Sequence, residues 1–217
     1  TVVPAVRCRE AGLDRSLLSS YGHDDRVCAY AELEALFSLD MPEKTAVCIL
    51  ADKEEIGSVG ISGMQSHYFE HFMEGLCDAQ GVKLSDCFAN SFCLSADVSN
   101  AFDPNWPETC DKRQLNYGVA ICKYTGSRGK GGASDASAEA MGHVRSTLDK
   151  AGVIWQIATL GKVDQGGGGT VAAYMANRNI VTVDAGVPVL SMHAPLELVS
   201  KLDCYETMLA CKAIYLA

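Results

Sequence analysis

The chain has 217 residues, 48% of them hydrophobic and 21% charged, with 18 basic against 27 acidic side chains and a net charge of −9. That composition can bury a sizeable core and argues against disorder, while the acidic balance without a basic cluster argues against nucleic acid or an anionic membrane as a partner. No apolar run approaches the roughly 20 residues of a membrane span, and no signal-peptide pattern opens the chain.

The opening "TVVPAVRCREAGLDRS" has no initiator methionine and starts as though inside a strand, so it reads as the back part of something longer. "SYGHDDRVCAY" follows, with Asp24 and Asp25 just ahead of a helical pattern over 26–39. An apolar run at 46–50 predicts a strand, and directly behind it stand Glu54 and Glu55. The 3.6-residue periodicity then predicts a helix over 65–79, with Phe69, Phe72, Met73 and Leu76 on its apolar face. A strand is expected at 88–94, followed by "SADVSN" with Asp97, and another at 117–124. Next come a helix at 134–151, a strand at 154–159, a helix at 170–177 and a strand at 180–184 that runs into "AGVPVLSMHAP" with His193. A last helix is expected over 195–216. Short apolar runs alternating with helices are the signature of an α/β sheet layered by helices. The ten cysteines are scattered, mostly inside apolar runs and without a C-x-x-C pair, and read as reduced core thiols of a cytoplasmic protein.

In open α/β sheets, sites form outside the carboxyl ends of the strands. Glu54, Glu55, Asp97 and His193 all follow apolar runs in this way, and carboxylates converging with a histidine suit a divalent metal such as zinc or manganese. Adjacent residues of a strand face opposite ways, so both glutamates can serve one site only where the chain leaves the strand. One could then bind metal while the other takes the proton of the attacking water. Asp24 or Asp25 could bridge two ions, although an N-cap explains either as well. Asp97 taken alone is a common turn residue. His67, Glu70 and His71 of "HYFEH" match an H-x-x-E-H zinc pattern, yet they fall on the polar side of their helix and read as a solvated face. The glycine loops "GSRGKGGAS" and "DQGGGGT" fit no P-loop; tight turns, or backbone amides lining a cleft, explain them better.

"GHDDRVCAY", "DKEEIGS", "SADV", "KYTGSRGKGG", "VDQGGGGT" and "VDAGVPVLSMHAP", in this order, resemble the aspartyl aminopeptidase and vacuolar aminopeptidase I family of dinuclear zinc metalloaminopeptidases, in their bacterial-type branch. The resemblance runs from about residue 2 to the C-terminus. It implies a three-layer αβα catalytic domain over residues 21–217, with residues 1–20 as the tail of an inserted dimerisation domain. It also implies two divalent metal ions, zinc foremost, with cobalt or manganese as alternatives. By motif, Asp24 would bridge the ions across a cis peptide to Asp25, Glu54 would be the general base, Glu55 and His193 would hold one ion, and Asp97 the other. Lys123 would line the substrate site. Asn100 stands where the mammalian aspartyl enzymes carry a histidine, and Lys130 where they carry a tyrosine, which points to a broad specificity. The family's first metal-binding histidine belongs to an upstream segment of the same protein that these residues do not contain. The expected partners are short peptides and further copies of the chain, as a dodecamer. Rival readings are a related two-metal carboxypeptidase or deacylase and a non-catalytic assembly subunit.

Overall fold

The structure, a computed structural model, describes residues 2–108, 113–128, 130–159 and 167–217. Four strands form a mixed sheet in the order β3 (Phe92–Ala96), β9 (Val181–Gly186), β5 (Val119–Cys122) and β8 (Trp155–Ala158). Five more form a second sheet in the order β1 (Arg9–Ala11), β2 (Leu17–Ser20), β11 (Glu197–Ser200), β10 (Pro188–Leu190) and β4 (Ser99–Asn100). A hairpin joins β6 (Tyr124–Ser127) to β7 (Gly131–Asp135). The long helices are α1 (His23–Phe37), α2 (Tyr68–Gln80), α4 (Ala138–Ala151) and α6 (Lys201–Tyr215), with α3 (Leu84–Ala89) and α5 (Ala172–Ala176) shorter.

Alternation along the strands of the four-stranded sheet splits its side chains between two helical layers. Val119, Ile121, Val183 and Ala185 meet Met141, Val144 and Leu148 of α4 and Ala210 of α6. On the other side Cys93 packs with Phe69 and Met73 of α2, Phe88 of α3 and Met175 of α5. Helices therefore cover both faces, as expected of a three-layer α/β fold. α1 packs along α6, which brings its N-terminus towards the strand ends.

Two neighbouring strands cross from one sheet into the other at the same level. β3 and β9 pair in parallel as far as Ala96 and Ala185, and their continuations β4 and β10 pair in parallel from Ser99 and Pro188. Asp97 and Gly186 lie where the two ladders part. A Cβ on Gly186 would sit 1.9 Å from the carbonyl oxygen of Asp97, so only glycine admits this approach of backbone to backbone.

Several expected elements differ. Residues 46–50 join no strand among the described residues: Val47 and Ile49 pack against the α2 and α3 cluster, while Leu50 is exposed. An apolar run becomes a strand only where a ladder partner lies beside it. The helix expected from 195 begins at Lys201, because Ser200 is its N-cap and accepts from the backbone N–H of Leu202 and Asp203, leaving 197–200 to pair as β11. The strand expected through 124 breaks at Lys123 into β5 and β6, and the helix expected from 134 begins at Ala138 after β7. On α2, Phe72 stands half exposed rather than in the apolar face. The nine described cysteines are all free, but not all are core thiols, since Cys8 is exposed in the N-terminal stretch; Cys110 lies outside the described residues, as do the first residues of the "DQGGGGT" loop. No helix among the described residues is long and apolar enough to cross a membrane.

Candidate metal centre

Asp24, Asp25, Glu54, Glu55 and Asp97 are among the acidic residues that line one cavity of about 920 Å³. Asp24 and Asp25 open α1, but their backbone is not helical, and the peptide bond between them is cis. The backbone N–H of Asp24 is held by Glu197 Oε2 at 3.0 Å, and Asp25 Oδ1 accepts from Val98 N–H at 3.2 Å, which ties the start of α1 to the break after Asp97. Glu54 and Glu55 sit in a 3₁₀ turn, Glu54–Ile56, flanked by Lys53 and Gly57 in left-handed conformation. In such a turn successive side chains diverge by about 120° rather than pointing oppositely, so neighbours can face one space. Among the described residues no paired strand leads into it.

His193 has φ of 65°, a left-handed conformation, and its N–H donates to Glu197 Oε1 at 2.7 Å. Its Nε2 lies 2.8 Å from Asp24 Oδ2 and 3.0 Å from Glu55 Oε1. Among the described residues two groups of three could each hold a metal ion: Asp24, Glu55 and His193, and Asp24, Asp25 and Asp97. Asp24 belongs to both. Glu54 belongs to neither.

The electrostatics of the cluster call for positive charge. Burial, with the neighbouring acids, pushes Asp97 and Asp25 well above the usual carboxylate range. Burial and then Glu55 raise Asp24 to about 6, and burial followed by Glu55 and Asp24 raises Glu54 to about 7. Bound divalent cations would offset this repulsion, and oxygen donors with one imidazole are a donor set that zinc accepts.

The remaining candidates lie elsewhere. Lys123, at the end of β5, is ion-paired with Asp135 of β7. Asn100 lies in β4 beside Val189, and Lys130 is exposed in the turn between β6 and β7. None of the three lines the cavity. His67 and His71 are exposed, and Glu70 is engaged by Arg178 Nε at 2.6 Å, so the H-x-x-E-H pattern is a solvated face. Sequence reasoning missed Glu197 and Gly186. An acid two residues before a buried valine in "LELVS" was the one available signal for Glu197, and Gly186 had none, because its use depends on how close Asp97 comes.

The model of the aminopeptidase I zinc metalloprotease (M18) family matches residues 1–215. A probable M18 family aminopeptidase 1 of Clostridium acetobutylicum is 49% identical over 213 residues, covering 95% of this chain and 46% of the relative. Its counterpart from Thermotoga maritima is 45% identical over 221 residues, covering 98% and 49%. Solved structures agree. The M18 aminopeptidase of Thermotoga maritima superposes with a TM-score of 0.94 at 45% identity, covering 98% of this chain and 49% of that one. Aminopeptidase I of Clostridium acetobutylicum gives 0.92 at 47%, covering 99% and 47%. The chain spans about half the length of the curated relatives it matches. With the fold, the acidic centre and these likenesses in agreement, the chain belongs to the aminopeptidase I zinc metalloprotease family.

Proposed function

We propose that the chain carries most of the metal centre of an aminopeptidase that removes the N-terminal residue from short peptides. The observation that carries this reading is the sharing of Asp24 between a nitrogen-containing donor group and an all-carboxylate group, with Glu54 beside them in the same cavity. Asp24 would bridge two divalent ions, zinc foremost; Glu55 and His193 would complete one set of ligands, and Asp97 would serve the other. When bound, the ions supply Lewis acidity towards the scissile carbonyl and lower the pKa of water.

Glu54 accepts the proton of the attacking water and returns it to the leaving amine, so one water is consumed and an amino acid and a shortened peptide are released. The surrounding carboxylates favour the free ammonium of a peptide N-terminus over a blocked one. Lys123, Asn100 and Lys130 are the residues we assign to the substrate. With Lys123 already paired to Asp135, strict selection of acidic residues is weakened, and apolar residues such as leucine should be accepted alongside acidic ones.

Residues 1–20 would be the tail of an inserted dimerisation domain and 21–217 the catalytic part, with a histidine from an upstream segment completing the Asp97 ion. The yeast mApe1 dodecamer has a similar fold, with a TM-score of 0.76 at 24% identity, and we read the whole protein as a homo-oligomer of the cytoplasm.

The test compares kcat/KM for matched leucyl and aspartyl peptides with free and acetylated N-termini, on the zinc-loaded whole protein. Cleavage of both free-amine substrates with loss on acetylation is expected. Cleavage of the acetylated forms would favour a deacylase or carboxypeptidase, and a strict aspartyl preference would overturn the broad specificity.

A further inference from the structure

We infer that Glu197 is a positioning residue whose single buried carboxylate sets the separation between Asp24 and His193. The inference rests on the reading of those two side chains as metal ligands. Glu197 opens β11 and is 2% exposed. One of its oxygens accepts from the backbone N–H of His193 at 2.7 Å, and the other from the backbone N–H of Asp24 at 3.0 Å. The two donors are 169 positions apart in sequence, as their separations of 173 and 4 residues from Glu197 require, and no backbone ladder joins them directly.

Each donor sits where the chain by itself offers nothing. Asp24 stands outside helical conformation and Gly22 ahead of it supplies no side-chain cap, so its backbone N–H needs an outside acceptor. His193 is in a left-handed conformation, which a non-glycine residue holds only when its surroundings over-determine it. Glu197 meets both needs at once. Its own backbone is fixed, because Glu197 pairs with Ser20 of β2, and β2 leads through Tyr21 and Gly22 into α1. The carboxylate thus closes a short frame around the two side chains, and within it His193 Nε2 and Asp24 Oδ2 stand 2.8 Å apart.

A carboxylate is the group this arrangement requires, since it accepts through both oxygens. A glutamine of the same size would turn an NH₂ towards one of the two N–H groups and break that tie. Loss of such an outer partner weakens metal binding by roughly 10- to 100-fold in known centres.

The experiment titrates the metal-free whole protein with Zn²⁺ alone, and with Co²⁺ as a spectroscopic probe, comparing parent, Glu197→Gln and His193→Ala well below their melting temperatures. The expected result is a roughly 10-fold or greater loss of affinity for the tighter ion in Glu197→Gln, with an altered Co²⁺ d–d band and an unchanged far-UV circular dichroism spectrum. If His193→Ala binds like the parent, the ligand reading itself fails. If His193→Ala loses the ion while Glu197→Gln keeps parental affinity and spectrum, even with a lower Tm, Glu197 is only a structural cap and the inference is overturned. Should Glu197→Gln not fold, Glu197→Asp is measured in the same way, because its shorter arm cannot reach both N–H groups. Parental affinity there overturns the inference, and a comparable loss supports it.

Discussion

At the scale of single residues, a 3₁₀ turn, not a strand, carries the adjacent glutamates and sets them in different surroundings. Glu55 reaches His193 at 3.0 Å, while Glu54 stays outside both donor groups in the same cavity. Glu54→Gln should therefore lower kcat by roughly 10²- to 10⁴-fold with zinc content unchanged. Glu55→Gln should lower zinc content together with rate, since an amide is a poorer ligand than a carboxylate. Metal analysis beside initial rates separates the two, and an active Glu54→Gln protein would remove Glu54 from the base role. The pair and its neighbours Asp24, Asp97 and His193 were legible in the sequence because each carries a chemical group and follows an apolar run or opens a helix. Glu197 was not, because its part depends on two backbone N–H groups that only the fold brings to it.

At the scale of elements, α1 brings a carboxyl group of an unusual kind into the interior. Glu32, six residues on from Arg26 in the helix, lines the cavity, and burial pushes its pKa up to about 8 from an ordinary 4.5. A carboxyl that holds its proton more tightly when folded favours the folded state fully below pH 4.5, and that contribution is lost as the pH rises to about 8. Glu32→Gln should flatten this part of the stability profile and raise Tm at pH 8.5 by several degrees relative to the parent, with little difference at pH 4.5. Thermal melts across that range check it; parallel profiles for the two proteins would show that Glu32 is not held protonated. The long helices were read from periodicity, with α2 and α4 each starting three or four residues later than expected, while α3 was not expected and takes the first residues of the strand expected at 88–94. Strands were read less well. Residues 46–50 have the right residues and no ladder, while β11 was hidden inside an expected helix until the Ser200 cap divided them.

At the scale of the whole molecule, the centre is assembled from segments that lie far apart in sequence and meet where β3 and β9 pass from one sheet to the other. Its two donor groups are unequal: one includes the imidazole of His193, and the other consists of carboxylates only. Zinc prefers sites with nitrogen, so titration of the chain should show one tight ion and a second, weaker one, with the tight step lost in His193→Ala. Isothermal calorimetry or a competing chelator would resolve the steps. Two ions of equal affinity in this chain would mean that the carboxylate group needs no histidine from elsewhere in the protein.

By itself the sequence determined the α/β class, which rests on periodicity, and the family likeness, which rests on its six ordered motifs, and it offered the acidic residues and histidine as candidates through their side-chain chemistry. The tertiary structure decided which of them meet. It drew Asp24 into both donor groups, placed Glu54 outside them, joined Lys123 to Asp135 and seated Glu197 between two backbones. Those outcomes depend on distances between segments far apart in the chain, and local pattern carries no information about how two such segments pack.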